Sequence, residues 1–530
     1  MSHALEVMGC LAAAGALSVS FLSSDPRVRA VGLIAAGALA LALIAGQGWD
    51  ELRTLRSHHL EFAGAIAAGI VVLAIGAAAM LRWPILLPLL VVATLPFRIR
   101  LHVAGGQAVN LLVPLYVVIG AGVLATAVAT LRGETRLRRL PQPLVLALVL
   151  VICLYSLQTV YSVDIPFAAR NVGFFLVPFA ILFSLLAEAN WNRRLLGWAL
   201  AVLLAEGVIL AGIGIGQFAA EHIFWNGKLV ASNDFHFYFR VNSLFWDPNI
   251  YGRYLMIGIV LASATLLWAA GSRLPFVLIA VLAITFTGLV FAFSQTTFIA
   301  LFIGLAVLVA LRWSVRWTAI ATPFALAAIA IGVLFIAGGH NENARQISEG
   351  HSSLISGGLK LARHRPLYGY GSASFSKEFA SSEHVAPGDT TISHTEPVTV
   401  AAEQGVIGLA GYLALLAAGL LTVFTGMRSI APGLGAPFRT LDEGDRAELV
   451  PTRIGIAAAF SALLVHTIGY AAYLTDPLTW ALLAVAGVFA AEMGVAEWPQ
   501  RVKRARPDRK AESAAAGISG DSSASRPVAP

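Results

Sequence analysis

Apolar runs close to the length of a membrane span recur along most of the chain and restrict its fold more than any other feature. Runs of roughly 20 apolar residues match the hydrocarbon thickness of a bilayer. Hydrophobic residues make up 58% of the 530 residues and charged residues only 12%, which excludes an ordinary soluble protein. Because backbone polar groups in lipid must be satisfied internally, the runs are predicted to be helices, not the shorter alternating strands of a barrel. The predicted spans are 4–24, 29–48, 61–81, 83–97, 109–131, 143–162, 165–188, 196–218, 250–271, 274–294, 296–313, 317–338, 397–426, 453–474 and 477–494.

The predicted fold class is therefore an all-α polytopic membrane protein with about 14 transmembrane helices. The run 83–97 is short and contains three prolines, so it is predicted to be half-inserted. Residues 1–108 are predicted to form N-terminal helices and residues 109–498 a core domain. The Ala/Ser/Pro/Arg-rich segment 499–530 is predicted to be a disordered cytoplasmic tail.

Basic residues in the linkers predict the orientation of the spans. Under the positive-inside rule, the arginine-rich linkers from residue 132 onward and the tail are cytoplasmic, which places both long loops, 222–249 and 339–395, on the outer face. The net charge of +7 suits such a membrane protein and gives no indication of nucleic acid binding. Four basic residues fall on the outer side against the rule: Arg53, Arg56, Arg98 and Arg100.

The second loop ends in polar residues that continue into an apolar span. His394 stands immediately ahead of this span, where a neutral imidazole can accept a proton from a hydroxyl group. Glu403 lies nine residues later in apolar sequence, where a carboxylate is costly unless it is paired or orients another group. Gly405 and Gly408 are spaced to permit close helix approach. This spacing favours His394 as a general base over an ordinary loop histidine.

A second motif of this loop, ARHRPLYGYGSASF at 362–375, combines a tight turn with basic residues. Gly369 and Gly371 could let the backbone approach a ligand closely, although the pattern alone is a weak signal and more often marks a simple turn. Arg363 and Arg365 are placed to attract a phosphate group, with a solvated basic face as the alternative.

The first loop carries many aromatic residues, which indicate an interfacial belt or platforms for sugar rings and lipid chains. Arg240 is either a snorkelling interfacial cation or an anion clamp. Asn249 follows a proline at the mouth of the next span, and Arg253 lies about one turn inside it. An ionisable group at the centre of a span costs roughly 2.5–3.5 kcal/mol to insert, so Arg253 is a candidate functional residue. A guanidinium group suits a diphosphate because its planar fork bonds two oxygens at once.

Several motifs are missing from the sequence. It contains no P-loop, no Asp-x-Asp, no HExxH and no Cys/His cluster with metal-ligand spacing. The sequence therefore predicts no cofactor and no bound metal.

Three stretches together resemble the O-antigen ligase and O-antigen polymerase (Wzy-type) family of bacterial polysaccharide membrane enzymes. RVNSLFWDPNIYGRYL at 240–255 resembles the family's Arg-then-Pro-Asn segment entering a span. RHRPLYGYGSASF at 363–375 resembles its Pro-x-x-Gly-x-Gly-x-x-x-Phe turn, and HTEPVTVAAEQGVIG at 394–408 resembles its His-polar, nine residues, Gly-x-x-Gly signature. Two departures exist: Thr395 stands where the family usually has Asn, and Gln295 stands where it often has Arg.

The resemblance implies a GT-C-type glycosyltransferase in the inner (plasma) membrane of a bacterium, with its active loops on the outer face and a cytoplasmic C-terminus. The donor would be a glycan on a polyprenyl (undecaprenyl) diphosphate, and the acceptor a hydroxyl of a glycan or glycolipid. His394 would deprotonate the acceptor, and Glu403 would orient His394. The reaction would invert the anomeric carbon without a metal, whether it ligates finished chains or polymerises repeat units. The residues assigned to the diphosphate are Arg240, Arg253, Arg363 and Arg365, and those assigned to close approach are Asn249, Gly369, Gly371, Gly405 and Gly408.

Two other functions fit part of the sequence. A transporter or flippase for lipid-linked glycans would show an internal repeat and charged residues near mid-membrane in paired, broken helices. The sequence has no clear repeat, and its unusual polar groups cluster at one predicted face. A scaffold of an export complex would leave His394 and Arg253 without a purpose.

Overall fold

The structure is a computed structural model that describes residues 2–47, 59–103, 107–135, 137–235, 238–269, 271, 273–337, 343–384, 393, 395–437 and 449–505. The predicted base His394 lies outside the described residues, as do Arg53, Arg56 and the chain after Ala505.

Eleven helices in the described part of the chain are long and apolar enough to cross a membrane, and two shorter apolar helices accompany them. The prediction of a helical polytopic membrane protein is thereby confirmed. The helices are α1 (His3–Leu22), α2 (Pro26–Gln47), α3 (His59–Arg82), α4 (Leu86–Thr94), α5 (Val113–Leu131), α6 (Gln142–Leu157), α7 (Ile165–Asn171), α8 (Val177–Glu188), α9 (Arg193–Ala220), α10 (Gly227–Phe235), α11 (Pro248–Trp268), α12 (Leu274–Val290), α13 (Gln295–Arg312), α14 (Val315–Ala337), α15 (Asn343–His364), α16 (Phe375–Glu383), α17 (Glu396–Phe424), α18 (Val450–Gly469) and α19 (Pro477–Ala505). Short 3₁₀ turns lie at Gln158–Tyr161, Met427–Ser429 and Pro432–Leu434.

An antiparallel hairpin interrupts the helical architecture. Strands β1 (Ile99–Val103) and β2 (Gln107–Leu111) pair with Ile99 opposite Leu111. The predicted span 109–131 therefore starts four residues late, at Val113. The hairpin has a local basis in the sequence, since Ile99, Leu101 and Val103 alternate with polar residues and Gly105-Gly106 follow, a pattern typical of hairpins.

Helices α7 and α8 form one apolar span that contains a π-helical turn at Val172–Leu176. The turn has a covalent basis, because Pro178 has no backbone N–H to donate to the carbonyl four residues earlier. That carbonyl belongs to Phe174 and instead accepts a 2.6 Å hydrogen bond from the Tyr116 hydroxyl of α5. This contact fixes the start of α5 beside the turn.

The second loop contains two helices. Helix α15 includes the surface helix predicted at 352–363 and begins nine residues earlier. Its Leu361 side is buried against Phe375 and Phe379 of α16 and Ala402 of α17, forming a small separate apolar cluster. The loop is therefore a folded layer over one end of α17, not an extended polar segment.

The last helix is longer than the sequence predicts. Helix α19 continues to Ala505, so it includes the first seven residues of the segment 499–530 that was predicted to be disordered. Good helix formers explain the extension, because Arg501, Lys503, Arg504 and Ala505 all have high helix propensity.

Candidate functional site

Helix α17 is broken at Gly405, which adopts φ 64° and ψ −165° in the middle of an otherwise helical run. The backbone of the 366–371 turn supplies the hydrogen bonds that this break removes. Tyr370 N donates to Ala402 O at 3.3 Å, and Val406 N donates to Pro366 O at 2.8 Å. A non-helical backbone within a membrane span persists only where such groups are satisfied by protein or line a cavity. Two of the predicted motifs, 363–375 and 394–408, thus form one interlocked unit.

Glycine is required on both sides of this contact. Gly369 has φ 65°, and a β-carbon there would overlap the Glu403 carbonyl. A β-carbon at Gly405 would overlap the Leu367 carbonyl, and one at Gly371 would overlap Ser162. In the structure, Gly369 and Gly371, which were predicted to approach a ligand, instead lie against the backbone of Glu403 and Ser162. Gly408 likewise makes room for the side chain of Gln404 in the same helix rather than for a neighbouring helix.

Glu403 holds the end of the same turn. Its buried carboxylate accepts hydrogen bonds from Ala373 N at 2.9 Å and from Phe375 N at 3.1 Å, one on each oxygen. Ala373 has φ 59°, a conformation that a non-glycine residue adopts only when its surroundings enforce it. Sequence analysis missed this role, which makes Glu403 a positioning residue for the turn. Its predicted action on His394 stays a prediction, because His394 lies outside the described residues.

The turn is also attached to the segment that follows α6. Tyr161 Oη donates to Tyr368 O at 2.7 Å, and Ser162 Oγ donates to Ser372 O at 2.8 Å. Val163 N donates to Tyr370 O at 3.2 Å. The sequence did not predict that the 161–163 segment contacts this turn. The one local signal there is Asp164 ahead of Ile165-Pro166, which is a recognisable helix N-cap and marks only the start of α7.

Arg253 is fully buried, and all three of its guanidinium nitrogens have protein partners. Nη1 donates to Asp476 Oδ2 at 2.7 Å and to the carbonyl of Ala472 at 3.2 Å. Nε and Nη2 approach His466 Nδ1 at 3.2 and 3.1 Å, and Nη2 also donates to Tyr470 O at 3.1 Å. The prediction that Arg253 clamps a diphosphate does not fit this geometry, since its donors are occupied inside the protein. Arg253 instead forms a buried structural ion pair with Asp476.

His466 extends this network to α11 and α13. Because a guanidinium can only donate, His466 Nδ1 must accept, so the ring is neutral with its proton on Nε2. Nε2 lies 3.1 Å from Thr297 Oγ1, which donates to Ser294 Oγ at 2.8 Å. Ser294 Oγ in turn donates to Asn249 Oδ1 at 2.7 Å. Asn249, predicted to have a structural role, therefore ends a chain of hydrogen bonds that starts at Asp476.

Tyr470 lies on the other side of the network, and its ring lies 5.6 Å from the Arg253 guanidinium carbon. Burial, with the charge of Asp247, the N-cap residue of α11, next in size, raises the pKa of the Tyr470 phenol well above its ordinary value of 10. The phenol therefore stays protonated.

Arg240 is half-buried and held at only one nitrogen. Its Nε donates to Ala292 O at 3.1 Å, and its backbone is fixed by the Asn233 side chain. Its two terminal nitrogens make no hydrogen bond with any part of the chain that the structure describes. Ala292 is two residues before Ser294, so Arg240 is attached to the same turn as Asn249. Arg240 therefore presents an oriented cation with free donors beside the buried network.

The chain next to His394 is fixed to the same network. Glu396 Oε2 accepts a hydrogen bond from Tyr473 N at 3.2 Å. The residue before Tyr473, Ala472, supplies one of the carbonyls that hold Arg253. The structure thereby brings the start of α17, the 470–476 segment, Arg253 and the Arg240 turn to one end of the helical bundle.

The basic residues of the turn motif are exposed. Arg363 and Arg365 both face solvent, and the Arg365 guanidinium carbon lies 4.4 Å from the centre of the Tyr370 ring. This cation–π contact holds Arg365 over the interlocked turn. Within the described residues, no group of three His, Cys, Asp or Glu side chains could hold a metal ion.

Comparison with protein families finds a similarity over part of the chain. Residues 257–413 match the family described as O-antigen ligase. This confirms the predicted resemblance and points to an O-antigen ligase- or polymerase-like membrane protein that transfers glycosyl groups. The match includes the interlocked turn and the break at Gly405, whereas Arg240 and Arg253 precede it. A search of curated proteins finds no match.

We expect Gly405→Ala to destabilise this O-antigen ligase-like domain by at least about 1–3 kcal/mol, because alanine is strained at positive φ and would collide with Leu367. Thermal unfolding of the purified protein in detergent measures the change. Gly197→Ala is the matched control, since this glycine lies within α9 and has open space around it. Equal unfolding temperatures for the two variants would contradict the interlocked turn.

Proposed function

We propose that this protein moves a glycan from a polyprenyl diphosphate donor to a hydroxyl group of a glycan or glycolipid acceptor at the outer membrane face. The match of residues 257–413 supports the reaction class. The observation that carries the proposal is the junction of three elements, in which the Arg240 turn, Arg253 and the residue two positions after His394 are joined through successive hydrogen bonds.

In the proposed reaction, His394 takes the proton of the acceptor hydroxyl, and the acceptor oxygen attacks the anomeric carbon of the donor sugar. The bond from that carbon to the diphosphate oxygen breaks, and its electron pair leaves with the polyprenyl diphosphate. Attack from the opposite side inverts the anomeric configuration. Arg240 is aimed to stabilise the growing negative charge, because its two terminal nitrogens are free to donate. The diphosphate leaving group drives the reaction, so neither nucleotide nor metal is needed.

The remaining groups have supporting roles in this proposal. The Arg253–Asp476–His466 network fixes α11 and the 470–476 segment against α17. Arg365 and Arg363 give the rim of the site a positive charge that attracts the donor from the membrane surface. The family often has an arginine where Gln295 stands at the start of α13, so this chain depends more heavily on its other cations.

A transporter or flippase is less well supported by the fold. In a transporter, the substrate pathway would run along broken helices that line a cavity. Here the break at Gly405 is filled by the 366–371 backbone, which satisfies the freed groups at 2.8–3.4 Å. We therefore infer a fixed platform rather than an opening pathway.

We expect Arg240→Gln to reduce kcat for glycan transfer by about 100- to 1,000-fold, because an oriented donor to the leaving group is lost. The assay uses proteoliposomes with a polyprenyl-diphosphate-linked glycan, an acceptor and EDTA. Arg428→Gln is the matched control, since Arg428 is exposed and lies after the far end of α17. Transfer by Arg240→Gln at the rate of Arg428→Gln would remove Arg240 from the mechanism.

A further inference from the structure

Arg98 is a cation that neither the motifs nor the network account for. It lies between α4 and β1, and the charges of Asp476, Tyr470 and Arg253 act on it. It therefore belongs to the same end of the bundle as the candidate site. The sequence places it on the outer side, where the positive-inside rule disfavours basic residues.

The side chain of Arg98 is half-buried without a hydrogen-bond partner in the described part of the chain. Its Nε is completely covered and forms no hydrogen bond. Burial lowers the pKa of the guanidinium below its ordinary value, and the charge of Asp476 partly opposes that shift. An arginine nevertheless stays charged in proteins. A covered guanidinium with unused donors is costly unless an anion pairs with it.

The neighbouring carboxylates are already engaged. Asp476 Oδ2 accepts from Arg253 at 2.7 Å, and its Oδ1 accepts from Leu478 N at 2.9 Å. Asp247 Oδ1 accepts a hydrogen bond from Asn249 N at 2.6 Å. Arg98 lies beyond salt-bridge distance of both, since the only ion pair of Asp476 among the described residues is with Arg253. The free donors of Arg98 are therefore available to an anion from outside the protein.

We propose that Arg98 binds a phosphate group of the lipid-linked donor and acts with Arg240 as a second cation of the diphosphate site. This assignment rests on the proposed function. It gives a function to a covered cation that lies near the buried network but forms no hydrogen bond with it. A guanidinium suits this role because its planar fork binds two phosphate oxygens at once.

The test is binding of polyprenyl diphosphate to the full-length protein in phosphatidylcholine nanodiscs, compared with polyprenol and with inorganic diphosphate. We expect Arg98→Met to weaken polyprenyl diphosphate binding by about 10- to 100-fold and to leave polyprenol binding unchanged.

Arg194→Met is the control. Arg194 is exposed in the first turn of α9, at the end of that helix away from the loop 222–249. Arg98→Lys keeps the charge but loses the fork, so its binding should fall between wild type and Arg98→Met. Because Arg98 makes no hydrogen bond with the described part of the chain, neither Arg98 variant should unfold below the wild-type temperature.

Equal polyprenyl diphosphate binding by wild type and Arg98→Met would overturn the proposal. So would a lower unfolding temperature with unchanged affinity, which would make Arg98 a structural residue only. If adding phosphatidylglycerol to the nanodiscs abolishes the effect of Arg98→Met on polyprenyl diphosphate binding, Arg98 binds the phosphate of bilayer headgroups and not that of the donor. Arg98-dependent binding of inorganic diphosphate alone would likewise reject the lipid-linked donor. If the effect on binding holds but wild type transfers no glycan, the proposed function falls and the binding site stands.

Discussion

His394→Ala is expected to transfer glycan about 100- to 10,000-fold more slowly than wild type, which is the usual contribution of a general base. Only the neutral imidazole can accept the proton from the acceptor hydroxyl. The assay is the release of polyprenyl diphosphate in proteoliposomes at saturating donor. We expect the loss in kcat rather than in donor affinity, because the proposed base takes a proton in the chemical step and does not hold the diphosphate.

The control for this variant is His364→Ala, because His364 is an exposed histidine at the end of α15 in the same loop. Added imidazole should partly restore transfer by His394→Ala and leave His364→Ala unchanged. Full activity of a folded His394→Ala would exclude His394 as the base, and the acceptor would then be deprotonated by another group.

Arg253→Met is expected to destabilise the protein by about 3–5 kcal/mol, the typical cost of removing one partner from a buried ion pair. The variant leaves the Asp476 carboxylate and two backbone carbonyls without their donor inside the bundle. Denaturant or thermal unfolding in detergent measures the loss. Arg428→Met is the exposed control and should change stability by less than about 0.5 kcal/mol.

A double variant separates a structural Arg253 from a substrate-binding one. If Arg253 mainly neutralises Asp476, then Arg253→Met combined with Asp476→Leu should recover part of the stability that Arg253→Met loses. Wild-type stability of Arg253→Met together with loss of donor binding would contradict the buried network. That result would restore the diphosphate role that the sequence suggests.

The sequence predicts the apolar membrane-spanning helices, because hydrophobic runs are local features. The orientation inferred from the flanking arginines stays a prediction. The helix α11 begins at Pro248 with Asp247 as its N-cap, close to the predicted span start at residue 250. The family resemblance likewise follows from short motifs with fixed spacing, and the match at 257–413 confirms it.

The partners of the site residues could not be predicted, because they are distant in sequence. His466 and Asp476 are 213 and 223 residues from Arg253, so an intramembrane arginine looked like a ligand-binding group rather than half of an ion pair. The break at Gly405 was missed for a related reason. A glycine in apolar sequence is compatible with helix packing, and only the 366–371 backbone shows why the helix stops there.

Glu403 shows the limit of reading a motif by residue type. The free-energy cost of a carboxylate in apolar sequence indicated that Glu403 is paired or orients another group. In the structure it accepts hydrogen bonds from two backbone N–H groups, those of Phe375 and Ala373, 28 and 30 residues away. The element that Glu403 holds in the structure is the turn at 371–375, and its predicted action on His394 stays a prediction.

The most direct test of the account is the balance of products from purified wild-type protein in proteoliposomes containing EDTA, a polyprenyl-diphosphate-linked glycan and a hydroxyl acceptor. We predict one polyprenyl diphosphate released for each glycosidic bond formed, with an inverted anomeric centre and a size ladder that separates ligation from polymerisation. Movement of the intact donor across the bilayer, with no diphosphate released by a folded protein, would contradict the account.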